Sequence, residues 1–213
     1  MKVFRDLYLH LPYEKTDIFF NELTEILNEN WSREIASEEK LAKETGDKFY
    51  YFSCVKTDVL EPALVAFARK NQQIVYIANI VPREFGSLTK DQYNTIIIKF
   101  YEKFLSQICD KLSIQAEITS DNQSMQDWVS EETYKKIKSF SGAANKSTGS
   151  SHPCDQERWF AFIVSVFRKN EKLDPSQLER WLVEDEGWHY DIASDLAIEY
   201  EQGLALLGYF ASH

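Results

Sequence analysis

Glycine, cysteine, basic residues and long apolar runs are all scarce in this chain, and each scarcity excludes something. Its seven glycines among 213 residues include no GxGxxG and no GxxxxGK[ST], so neither of the loops that cradle phosphates is present. The three cysteines, Cys54, Cys109 and Cys154, are odd in number, far apart and without a CxxC pair. They indicate neither a disulfide framework nor a zinc knuckle, and they predict a reducing, cytoplasmic setting. The most apolar window, Trp159–Phe167, is nine residues long and contains a serine, whereas crossing a bilayer takes ~20 residues. Residues 1–11 carry Arg5, Asp6 and His10 where an export signal would be apolar. Basic residues number 24 against 34 acidic ones, a net charge of -10. That balance argues against nucleic acid and against an anionic membrane surface, because such binding needs Lys and Arg to replace counterions. A basic protein partner suits it better, and no motif asks for a cofactor.

What is present suffices for a real core: 44% of the residues are hydrophobic and 14% aromatic. In residues 3–11, Leu7, Leu9 and Leu11 alternate with Tyr8 and His10, the period of a half-buried strand. Phe19, Phe20, Leu23, Ile26 and Leu27 recur at helical spacing after Thr16 or Asp17, either of which can cap. Residues 31–46 fit a short helix or an exposed hairpin arm equally well. Residues 48–55 form an aromatic-rich strand, and residues 64–69 with 74–81 read as a hairpin turning at Lys70-Asn71-Gln72. Thr89 and Gln92 have capping-box spacing and open a long helix through Leu112, and Ile114, Ala116 and Ile118 alternate as a last strand. The class is α+β, an antiparallel sheet with two helices in the ferredoxin-like pattern plus an extra strand. That likeness concerns fold alone.

Residues 139–153, rich in Ser, Gly, Asn and Thr, predict a linker or loop between an α+β domain, 1–138, and a helical subdomain of three helices, 154–213. Lys135, Lys136 and Lys138 before it read as the solvated face of a helix opened by Ser130-Glu131-Glu132. In the helical part, Asp155 can cap a helix through Lys169 that is apolar nearly all round. Asp174-Pro175-Ser176-Gln177 supplies a cap, a first-turn proline and an N3 glutamine in the preferred order. Gly187 breaks that helix, and a last one places Ile192, Leu196, Tyr200 and Leu204 four apart.

The last thirty residues hold seven carboxylates and no Lys or Arg, a bias that local folding does not require. Asp191, Asp195 and Glu199 form a row beside the apolar one, and Glu184, Asp185, Glu186, His189 and Tyr190 adjoin it. Trp188 is expected in the core, and His189 and Tyr190 at the surface. These residues predict an interaction module in which the acidic face binds a basic protein and aromatic anchors lengthen the contact. The alternative is a hydrolase or transferase using His152, Cys154 and His189, since a thiol at a helix N-terminus beside an imidazole can become a nucleophile. A zinc reading would join those three to Asp185 or Asp191, but the spacing fits no closed motif. An acidic α+β chain without catalytic motifs and with a carboxylate-rich face resembles bacterial immunity or antitoxin proteins, many of which neutralise a cationic toxin by covering its active site. The resemblance implies an inhibitor of that kind and assigns no residue.

Overall fold

The computed structural model describes residues 1–213, and the chain divides into two units, residues 2–121 and residues 122–213 together with Met1. The first is the α+β unit. Its elements run β1 (Leu7–Leu9), α1 (Thr16–Glu25), β2 (Trp31–Arg33), α2 (Ile35–Thr45), β3 (Tyr50–Cys54), β4 (Ala63–Asn71), β5 (Ile74–Pro82), α3 (Lys90–Phe100), a π turn (Tyr101–Leu105), α4 (Ser106–Leu112) and β6 (Ala116–Ile118). The six strands lie in the order β2-β3-β4-β5-β1-β6, every neighbouring pair antiparallel. Strand β1 sits between β5 and β6, which are themselves joined through α3 and α4, so the predicted split βαβ arrangement is present. The stretch left open, 31–46, supplies β2 and α2. Strand β2 has one apolar residue, Trp31, set among Asn30, Ser32, Arg33 and Glu34, so no alternation marks it in the sequence.

The alternation in β1 does what its period requires: Leu7, Leu9 and Leu11 are buried. Aromatic rings fill the rest of this core. Phe20 stacks on Tyr50 with centroids 3.8 Å apart and meets Phe52 and Phe67, while Trp31 lies 4.5 Å from Phe100. Burying each such ring contributes roughly 1.5–3 kcal/mol. The capping box of α3 forms as spaced, with Gln92 N donating to Thr89 Oγ1 and Thr89 N to Gln92 Oε1. At α1 the expected cap is absent. A 3-10 turn, Tyr13–Lys15, leads straight into the helix; Thr16 Oγ1 donates to the Pro12 carbonyl, and Asp17 is held by Lys48 and Tyr50.

The second unit is a bundle of four helices: α5 (Glu131–Ala143), α6 (Pro153–Lys169), α7 (Pro175–Glu184) and α8 (Tyr190–Ser212). Helix α5 belongs here because Ile137 and Phe140 are buried among Trp159, Phe162 and Trp188. The division between units therefore falls before this helix, at 121/122, and not after it at 138. Residues 139–153 lie inside the bundle unit. Two of their small polar side chains are tied into the bundle: Ser141 and Ser150 are buried and donate to Glu186 and Glu199. Gly149, at φ +62°, leaves Cβ space only 3.4 Å from Ile192.

Helix α6 begins earlier than its acidic residue suggested. His152 is the N-cap and Pro153 the first helical residue, with the proline's fixed φ suited to that place. Asp155 instead sits in the first turn, buried and paired with Arg158 at 2.7 Å. The helix, expected to be apolar nearly all round, has one wet side: Phe160 is exposed while Trp159, Phe162, Ile163 and Val166 are buried. Helices α6 and α8 approach closely at Gly203, where an added Cβ would stand 3.1 Å from the Ile163 side chain. No helix is long and apolar enough to cross a membrane.

Candidate functional site

The end of the chain is positioned by two sharp local signals. Asp174 Oδ1 accepts from Ser176 N at 2.8 Å while Asp174 N donates to Gln177 Oε1 at 2.9 Å, which starts α7 at a defined residue. The Ser176 hydroxyl, with the Ser176 N–H, holds the Asp174 carboxyl below its ordinary pKa. Gly187, at φ +70°, then takes the left-handed conformation that turns the chain into α8. Trp188 follows, buried, and its indole N–H donates to Ser141 Oγ at 2.9 Å.

That bond is one link of a chain through the bundle. Ser141 Oγ donates to Glu186 Oε2 at 2.8 Å, and Lys138 Nζ meets Glu186 Oε1 at 2.7 Å. The Glu186 side chain is only 12% exposed, and its charge raises the Lys138 pKa. Its two acidic neighbours are engaged as well: Glu184 pairs with Arg180 at 3.1 Å and Asp185 with the Met1 amino group at 3.1 Å. All three carboxylates of this triplet have partners inside the unit.

The row on α8 is different. On a helix that turns about 100° per residue, Asp191, Asp195, Ile198, Gln202, Leu206 and Tyr209 fall within about 80° of one another. The buried residues Ala193, Leu196, Ala197 and Tyr200 point the opposite way. Asp191 and Asp195 are exposed and make no ion pair or side-chain hydrogen bond. Glu199, at the edge of the face, accepts from Ser150 Oγ at 2.7 Å. His189 stands at the N-cap position without a side-chain cap, exposed beside exposed Tyr190. Farther along the same face the character changes: Ile198, Leu206 and Tyr209 are 50%, 69% and 65% exposed, and Phe210, on the flank of that face, is 81% exposed. Sequence reasoning missed these apolar residues, because an apolar residue near a chain end reads as core until its neighbours are known.

His152 Nδ1 accepts from Cys154 N at 3.3 Å, so the imidazole serves the helix terminus. The Cys154 thiol is exposed, and no hydrogen bond joins it to His152 or His189. No group of three or more His, Cys, Asp and Glu side chains is arranged to hold a metal ion, so His152, Cys154 and His189 do not combine with Asp185 or Asp191 in that way. A cavity of about 480 Å³ lies in the α+β unit, with Tyr13, Asp17, Lys48, Phe49, Tyr50, Arg69 and Tyr76 on its walls. Several of its polar groups are already engaged: Asp17 accepts from Lys48 and Tyr50, and Arg69 donates to the Leu11 and Asn71 carbonyls and to Thr16. The donors lower the Asp17 pKa, and burial together with Asp17 raises that of Tyr50.

Fold and surface together describe an α+β protein with an antiparallel six-stranded sheet, a helical bundle and one exposed helix face that is acidic, then apolar. Comparison with family models, curated protein sequences and solved structures finds no match to the chain.

Proposed function

We propose that this protein is a protein-binding module whose last helix docks a basic protein partner, in the manner of an immunity or antitoxin-like inhibitor acting in the cytoplasm. The observation that carries the reading is the pair Asp191 and Asp195, exposed and without partners on the solvent side of α8. Two unneutralised carboxylates about one turn apart repel each other by roughly 0.2–0.5 kcal/mol in an isolated helix. Asp191 recovers part of that from the N-terminal macrodipole, whereas Asp195, a turn farther on, recovers less. A cationic surface laid along the face would relieve the repulsion and, by long-range attraction, speed association. Glu184, Asp185 and Glu186 contribute to the field while their contacts stay inside the bundle.

The test is the double variant D191K/D195K, which leaves the Glu199 to Ser150 bond in place. Wild type and variant, each tagged, are used to recover proteins from the cells that make the chain, and the two recovered sets are compared quantitatively. A basic protein bound by wild type and lost from the variant, and released from wild type by salt, is the expected result. Identical sets would refute the reading.

A further inference from the structure

We infer that the solvent face of α8 is a two-part docking surface for a cationic amphipathic helix. Basic side chains of that helix meet Asp191 and Asp195, and its apolar side chains cover Leu206, Tyr209 and Phe210. The inference rests on the reading above, that the acidic row takes a basic partner, and adds the partner's shape, its second chemistry and its direction. Three observations lead to it. First, Asp191, Asp195, Leu206 and Tyr209 share one face, with Phe210 on its flank, and the acidic and apolar residues occupy successive lengths of it. Second, three large side chains, each about two-thirds exposed or more, stand together on the last turns of one helix, and clustered exposed apolar surface of this kind marks contact sites. Third, the last thirty residues contain no Lys or Arg, so nothing on α8 itself neutralises the acidic half.

A helix matches the face in length and spacing. From Asp191 to Phe210 the face runs about 28 Å at 1.5 Å per residue, the length of a helix of about 19 residues. Its residues recur at intervals of three and four, which form the ridge that a second helix packs against. A second copy of α8 fits poorly over the whole length. Antiparallel, it would lay its carboxylates on Leu206, Tyr209 and Phe210; parallel, it would set acid against acid. The cationic helix is placed antiparallel, with its basic residues at its C-terminal end, where its own macrodipole favours them.

The test uses the full chain and a synthetic helical peptide of about 20 residues. One face of the peptide carries Leu and Ile in the N-terminal half and Lys in the C-terminal half. A control peptide has the same composition with Lys and Leu mixed along the face. Fluorescence anisotropy at low salt should show the ordered peptide binding about tenfold tighter than the mixed one. L206Q/Y209Q/F210Q should weaken it by about tenfold or more, as removing central anchors does, while leaving the salt dependence intact. D191K/D195K should weaken it similarly and flatten the salt dependence. If the Gln variant binds as wild type while the Lys variant does not, the two-part surface is refuted and the basic-partner reading survives. If neither variant changes binding, or the ordered peptide does not bind, the two-part surface is refuted, and the partner-recovery comparison decides the basic-partner reading separately. Sedimentation showing a wild-type dimer that the Gln variant dissociates would assign the apolar half to a second copy and overturn the proposal.

Discussion

Replacing Glu186 by alanine should destabilise the helical bundle, whereas replacing Asp191, five residues later, should not. The Glu186 carboxylate accepts from Ser141 Oγ at 2.8 Å and from Lys138 Nζ at 2.7 Å, with its side chain 12% exposed. A hydrogen bond to a charged group contributes about 1.5–3 kcal/mol. The Lys138 side chain is 44% exposed, so its pairing adds only about 0–1 kcal/mol after solvent screening. The Ser141 hydroxyl, held on one side by the Trp188 indole, can turn toward the main chain once the carboxylate is gone, which recovers part of the loss. The net cost for Glu186→Ala is about 2 kcal/mol, or a fall of roughly 10 °C in Tm for a unit of this size. Glu186→Gln keeps an acceptor for Ser141 and loses the charge, so it should fall between alanine and wild type. Asp191→Ala removes an exposed group without partners and should stay within about 0.5 kcal/mol of wild type. Equilibrium urea unfolding of the full chain, followed by circular dichroism, measures all three. A Glu186→Ala midpoint equal to wild type, or an Asp191→Ala loss of the same size, would show that the hydrogen-bond chain does not hold the bundle as argued.

Two further outcomes follow from buried and exposed groups. Cys54 and Cys109 are buried, and burial raises both thiol pKa values, that of Cys109 to about 11, while Cys154 is exposed. A thiol reagent at neutral pH should therefore label one cysteine quickly in the native protein and all three in urea; rapid labelling of two or more native thiols contradicts the packing. Tyr50 has its pKa raised by burial and by its hydrogen bond to Asp17. The stability it contributes is fully present below its ordinary pKa near 10 and is lost as pH rises through the higher folded-state value. Tyr50→Phe should make the alkaline decline of the urea midpoint shallower, and an unchanged profile would argue against the buried Tyr50–Asp17 contact.

The sequence was most legible where one local rule decided the outcome. The capping patterns at Thr89 and Asp174 and the alternation of Leu7, Leu9 and Leu11 formed as their spacing required, because the partners lie within a few residues or because the period names a face. Cap positions without a reciprocal pattern were less certain: Asp155 lost its place to His152 and Pro153, and Asp17 was drawn to Lys48 and Tyr50, distant in sequence. The edge strand β2 has a single apolar residue, Trp31, and so carried no period. On the candidate site, the periodicity of Asp191 and Asp195 was readable, and their exposure followed from it. That Glu184, Asp185 and Glu186 are engaged by Arg180, Met1 and Lys138 was not readable, since two of those partners lie far away along the chain.

By itself, then, the order of residues determined the α+β class, the antiparallel hairpins, the helix starts with reciprocal caps and the acidic bias of the last helix, all consequences of short-range geometry. Only the tertiary structure decided that α5 belongs with the bundle, that one acidic triplet is paired and one acidic pair free, and that Leu206, Tyr209 and Phe210 stand exposed beyond it. A charge or an apolar side chain has the same chemistry in either place. Its role depends on what the rest of the chain packs beside it, and that is settled by contacts the sequence does not order.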